Sequence, residues 1–236
     1  MYYDSNGNPR VEEHSPVALG ACMVKVYWWM TFALAVSGLC AWIVGTSPGL
    51  TQVLIRNPGV FFILLLAEIG LVLGIGAAIN KLSAATASAL FILYSALNGI
   101  TLSVVFLAYT MTSVAQVFGI TAATFAVTAT VGTATRRDLT GIGNLLFMAL
   151  IGLIIASIVN IFWANSTLYW IVTYAGVLIF VGLTAYDAQK IKIMYLNGSD
   201  GSPETNRKLA VIGALTLYLD FVNLFLYLLR LFGRRR

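Results

Sequence analysis

Three acidic residues stand inside long apolar runs of this 236-residue chain: Glu68, Asp187 and Asp220. The stretch LTAYDAQKIK, residues 183 to 192, places Asp187 at the end of a run that carries no other charge from Leu168 onward. A carboxylate in hydrocarbon is costly, so side chains of this kind face protein or a water-filled path and commonly mark ion or proton pathways. Two carboxyl groups that meet can share a proton, hold a hard cation, or activate water. The bland alternative is that they join helices by hydrogen bonding, or that Asp187 caps the inner end of its helix near Lys190.

Helical projection groups these acids with other polar residues. At 100° per residue, Thr216, Asp220, Asn223, Tyr227 and Arg230 fall within roughly 80° of arc on the last apolar segment. Apart from Tyr218, the rest of that segment is apolar or small. The same projection puts Tyr169, Thr173, Gly176, Thr184 and Asp187 on one stripe of the preceding segment, about equally wide. Each stripe is expected to face the bundle interior, with Thr184, Thr216, Asn223 and Tyr227 lining a pathway between helices.

The elements that must position these residues follow from composition. The chain is 59% hydrophobic and 10% charged, with a mean hydropathy of +0.88, far from the roughly 25% charge of soluble domains. It reads as an all-α, polytopic membrane protein: a polar tail (1–21), a seven-helix transmembrane domain (22–232) and a basic tail (233–236). The spans predicted are 22–46, 58–79, 83–108, 113–134, 141–163, 167–189 and 208–232, each long enough to cross as a helix. The polar start, with Asp4, Arg10, Glu12 and Glu13, does not resemble a cleaved signal peptide. His14 in that tail is read as solvated.

Basic residues set the expected orientation. Arg10, Lys25, Lys81, Arg136, Arg137, Lys190, Lys192, Arg207 and Lys208 fall in the amino-terminal tail and even-numbered loops, and Arg56 alone in the odd-numbered ones. That asymmetry predicts a cytoplasmic amino terminus. Arg230, Arg234, Arg235 and Arg236 then lie outside after seven crossings, or inside if the last helix is re-entrant; both arrangements stay open. Cys22 and Cys40, about 27 Å apart along one helix, cannot bridge. Gly70 and Gly74 have GxxxG spacing, and the fourth span is rich in Gly, Ala and Thr, which suits close helix packing.

GLTAYDAQKIK, the carboxyl-terminal LTLYLDFVNLFLYLLRLFG and, around Glu68, AEIGLVLG resemble the Bax inhibitor-1 (transmembrane Bax inhibitor motif) family. The resemblance implies a bundle wrapped around its last helix and a pH-sensitive calcium leak channel or transporter governed by an intramembrane pair, Asp187 and Asp220. It implies too that Glu68 and Arg230 form a latch near the outer mouth. Short loops and a tiny tail suggest a minimal, bacterial member, in the inner membrane. The expected partners are the bilayer, calcium and protons, with no nucleic acid and no tightly bound cofactor. Calcium is the permeant ion, held transiently at Asp187 and Asp220.

Two alternatives stand beside this reading. An intramembrane aspartyl protease would also use two acids, with Tyr186 and Asp187 as its YD, but the second motif GxGD is replaced by LYLD. A membrane scaffold or cytoprotective regulator without transport would need neither flux nor cleavage; no enzymatic activity is expected. Counting 1.5 Å per residue from Lys190 and from Lys208, the two aspartates differ in depth by over about 10 Å, unless the last helix begins below the membrane surface.

Overall fold

The computed structural model describes residues 16–199 and 202–236. The chain is helical through these residues: α1 (Pro16–Thr46), α2 (Pro48–Arg56), α3 (Pro58–Ala78), α4 (Ala84–Leu102), α5 (Val105–Ala108), α6 (Met111–Ala134), α7 (Thr140–Trp163), α8 (Ser166–Gly198) and α9 (Pro203–Phe232). Counting α4 and α5 as one segment, seven helices are long and apolar enough to cross a membrane. Asp4, Arg10, Glu12, Glu13 and His14 lie outside the described residues.

Local chemistry marks the ends. Proline occupies the first turn of α2, α3 and α9, where its missing N–H would have had no helical partner. Ser83, Asn165 and Ser202 cap α4, α8 and α9 with side-chain oxygens that accept backbone N–H bonds. SPG at 47–49 and RNPG at 56–59 stand at the two ends of α2, a nine-residue helix too short to cross a membrane. Two further boundaries move. The helix α1 already begins at Pro16, so the limit drawn at residue 21 falls inside it; α8 continues to Gly198 and α9 starts at Pro203. Asn197 and Gly198 thus end α8, and Pro203, Glu204 and Thr205 begin α9.

The core is built around α9. Leu217, Tyr218, Leu224 and Leu229 are fully buried, and α9 packs against α8, α1, α6 and α4. The opposite extreme is α7, where Gly143 and Leu153 are the buried residues and Ile161, Phe162 and Trp163 stand almost fully exposed. Lipid is as apolar as these side chains, so their exposure costs nothing in a bilayer, and helix association rests on close packing and polar contacts.

Small residues deliver that packing, although not where the GxxxG spacing suggests. A Cβ added at Gly70 or Gly74 would meet nothing within 4 Å. Gly132 of α6, in contrast, lies against the backbone of Ala185 in α8, and Gly176 of α8 lies against the Tyr227 ring of α9. The α8–α9 pair is antiparallel. Its register is fixed by Gly198 beside Leu209, Gly213 beside Ile191 and Gly176 beside Tyr227. That register brings residue 187 opposite residue 220. The difference in depth counted from the lysines vanishes because Lys208 is level with the end of α8, eight residues beyond Lys190, not with Lys190 itself.

The last helix crosses the whole bundle. Its first turn sits by the α3–α4 connection, where the Ala84 N–H donates to Glu204 at 2.6 Å. Its far end meets the α5–α6 connection: Arg235 bridges Tyr109 in antiparallel fashion, Thr110 N–H donates to the Arg234 carbonyl at 3.1 Å, and Arg236 N–H donates to the Ala108 carbonyl at 3.0 Å. The terminal arginines are therefore pinned to the face that carries the odd-numbered loops. In a background with Cys22 and Cys40 changed to alanine, Arg236→Cys and Asp138→Cys are expected to react with a membrane-impermeant maleimide from opposite sides. Reaction of both from one side would contradict a full crossing.

Candidate functional site: an aspartate pair between α8 and α9

Between Leu209 and Leu229, α9 carries one charged residue type at one position, Asp220. It is buried, and its neighbour comes from α8: Asp187 and Asp220 line one cavity, close enough for their charges to act on each other. The second Asp220 oxygen, Oδ2, is buried without a hydrogen-bond partner among the described residues. Asp187 is half-buried. Lys190, one turn along α8, is close enough for its charge to act on both acids, and its Nζ lies 5.8 Å from the centre of the Tyr186 ring.

The pair opens onto a cavity of about 550 Å³ between α7, α8 and α9, lined also by Asn144, Thr216, Asn223 and Tyr227. Thr216 donates to the Ile212 carbonyl at 3.0 Å and Asn223 Nδ2 to the Leu219 carbonyl at 2.8 Å. The second bond fixes the Asn223 amide, because a carbonyl can only accept. Its Oδ1 is thus left as an acceptor, and with Asn144, Thr216 and Tyr227 the lining offers amide and hydroxyl oxygens beside the two carboxyl groups. Such hard oxygen donors suit calcium. Among the described residues no group of three or more His, Cys, Asp or Glu side chains comes together, so the site is poor in charge.

Thr184 does not belong to this lining. It is fully buried and its hydroxyl donates to the Phe180 carbonyl at 2.7 Å. The helical projection overreached because a stripe 80° wide spans both the cavity and the packed flank of α8. Residues the projection missed are Asn144 and Gly143 of α7. Gly143 is pressed against the Tyr186 ring, so α7 approaches α8 closely beside Asp187.

Tyr227 closes the cavity at its other end. Its ring stacks on Phe180 with centroids 5.8 Å apart and rests on Gly176. Arg230 lies over the same ring at 5.2 Å and lines a second cavity beyond it.

The latch between Glu68 and Arg230 is not formed. Glu68 accepts from Asn98 Nδ2 at 3.0 Å and from the Thr101 hydroxyl at 2.8 Å, both on α4. The Asn98 oxygen accepts from the Tyr218 hydroxyl at 2.9 Å, and that hydroxyl meets Ser37 Oγ at 2.6 Å. Glu68 is therefore satisfied by a buried network joining α3, α4, α9 and α1, while Arg230 faces the α7–α8 turn. The one ion pair among the described residues is Lys208 with Glu204, at 4.0 Å. The sequence did hold a signal: Tyr218 was the polar exception off the α9 stripe, and Asn98 and Thr101 share one face of α4 at i, i+3 spacing.

On the side of the even-numbered loops, α8 grips the α6–α7 connection. Gln189 accepts from Leu139 N–H at 2.9 Å and donates to the Arg137 carbonyl at 2.8 Å, and Lys192 donates to the Thr133 carbonyl at 3.0 Å. Asp138 in this connection is held below the usual carboxylate range by hydrogen bonds from the Thr140 hydroxyl and backbone. It stays ionised at neutral pH and is not the source of any titration there. Gln189→Leu, which leaves a backbone donor and acceptor without their partners, is expected to lower stability by about 2 kcal/mol, read from thermal unfolding in detergent. An unchanged melting temperature would show that the clamp is not used.

The family model described as "Inhibitor of apoptosis-promoting Bax1" matches residues 20–236. The chain is 48% identical over 214 residues to "Inner membrane protein YbhL" of Escherichia coli, covering 91% of this chain and 92% of that protein. It is 45% identical, with the same coverage, to an uncharacterized protein of Borreliella burgdorferi. An uncharacterized protein of Rickettsia prowazekii is 42% identical, covering 91% of this chain and 89% of that protein.

Proposed function

The chain belongs to the Bax inhibitor-1 family of multi-pass membrane proteins, and on that premise we propose that it is a pH-sensitive calcium leak channel or low-flux transporter. The observation that carries the reading is the contact between Asp187 and Asp220 at the wall of an oxygen-lined cavity.

Two carboxylates in contact repel each other, and a proton between them removes the repulsion. A divalent cation removes it equally well and takes the same oxygens. Calcium and protons therefore compete for the pair, and calcium occupancy rises with pH as the shared proton leaves. Lys190 tunes the competition by its positive charge. A site of two carboxyl groups completed by neutral amide and hydroxyl oxygens is weak, which suits an ion that has to leave again. Tyr227, stacked on Phe180, is the barrier the ion meets beyond the aspartates, and this conformation is the closed one. The protein acts by binding and release, with no covalent step. The basic residues of the even-numbered loops favour a cytoplasmic amino terminus in a bacterial inner membrane, so the cavity faces the cytoplasm through its Lys190 end.

Liposomes loaded with a calcium dye test this. Asp187→Asn and Asp220→Asn are each expected to cut calcium flux about tenfold, equivalent to ~1.4 kcal/mol, and to flatten its pH response. Unchanged flux and pH response in both variants would overturn the proposal. Peptide cleavage lost in the same variants would favour a protease, and absence of both flux and cleavage at every pH would favour a scaffold.

A further inference from the structure

Beyond Tyr227, on the face of the odd-numbered loops, lies a second cavity of about 530 Å³ lined by Asn160, Asn165, Tyr169, Trp170, Arg230 and Arg235, with no acidic residue in its lining. Its chemistry is set by hydrogen bonds already made around it. The α7–α8 turn is held by Asn160 Oδ1, which accepts from Asn165 N–H at 3.1 Å. Asn165 Oδ1 accepts from Thr167 and Leu168 N–H at 2.8 and 3.0 Å. A backbone N–H can only donate, so these bonds fix both carboxamides with their oxygens engaged and their NH₂ groups free to donate. No partner for either NH₂ group occurs among the described residues. Arg235 donates to the Tyr169 hydroxyl at 3.1 Å, and neither Arg230 nor Arg235 has a carboxylate partner among the described residues.

The cavity thus presents two guanidinium groups and two amide NH₂ groups, and nothing negative. We infer that it binds the phosphate of an anionic membrane lipid. Arginine forks and amide donors match phosphate oxygens in number and direction. The apolar rim argues for a lipid over a free anion. Trp163 and Phe232 flank the lining residues in sequence and are 78% and 55% exposed, and Trp170 forms part of the wall. Tryptophan and tyrosine at this level are the side chains that sit at headgroup depth. Acyl chains have the bare surface of α7 to run along, and Arg230, which also lies over Tyr227, connects the headgroup to the ring that closes the aspartate cavity.

The purified protein in neutral detergent, offered phosphatidylglycerol, phosphatidylcholine or inorganic phosphate, gives the test by native mass spectrometry. Phosphatidylglycerol is expected to be retained about tenfold better than phosphatidylcholine, and excess inorganic phosphate should not displace it. Asn165→Asp keeps the helix cap, since aspartate accepts the same N–H bonds, but places a negative charge in the cavity. It should fold with an unchanged or higher melting temperature and lose the preference for phosphatidylglycerol. Asn160→Asp should do the same, whereas Arg136→Gln with Arg137→Gln, on the opposite face, should retain it. Equal retention of the two lipids, a preference that survives Asn165→Asp, or displacement by inorganic phosphate would each overturn the assignment to a lipid headgroup. None of these readouts involves calcium, so they stand apart from the aspartate pair.

Discussion

A carboxyl group on a helix enclosed by other helices, in a chain surrounded by lipid, has to be met by a second polar group, and this constraint organises the bundle. Asp220 is that carboxyl group and Asp187 is what meets it. Much of the nearby structure holds the two level. Gly176 lets the Tyr227 ring lie flat on α8, and Gly213 and Gly198 admit Ile191 and Leu209, so α8 and α9 keep one register along their common length. The α6–α7 connection is clamped to α8 two residues from Asp187 by Gln189. One oxygen of Asp220 remains unpaired among the described residues. Left incomplete in this way, the pair is suited to take up a proton or a cation.

The central helix carries a second polar system on another face. Tyr218 and Asp220 point about 200° apart around α9. The Tyr218 hydroxyl joins Ser37 and Asn98, and through Asn98 reaches Glu68. Any rotation of α9 that alters the aspartate contact also strains this network, because a buried donor or acceptor deprived of its partner costs about 1–3 kcal/mol. The two systems therefore bias one helix, and α3 is tied to the aspartate pair through α4 and α9 without touching it.

How much of this was legible in the sequence depends on how local the cause was. Apolar length gave the seven spans, and helical periodicity gave the α9 stripe, because Thr216, Asp220, Asn223 and Tyr227 line one cavity. Depth was not legible. Lysines 190 and 192 looked like a membrane boundary, yet α8 runs on to Gly198, and Lys192 is occupied with the Thr133 carbonyl. Partners were not legible either. Glu68 and Arg230 are opposite charges in suitable spans, but which helix faces α3 is set by tertiary packing, and α4 supplied Asn98 and Thr101 first. Close packing was misplaced for the same reason: the GxxxG pair of α3 meets no neighbour, while isolated glycines in α6, α7 and α8 do.

Competition between calcium and a proton for one pair of carboxyl groups is measured most directly by proton release. When calcium is added to the purified protein in weak buffer near neutral pH, about one proton should be released per bound calcium, because metal binding requires its ligands deprotonated. Release should fall away in Asp187→Asn. Calcium binding with no proton release, or release that persists undiminished in that variant, would contradict it.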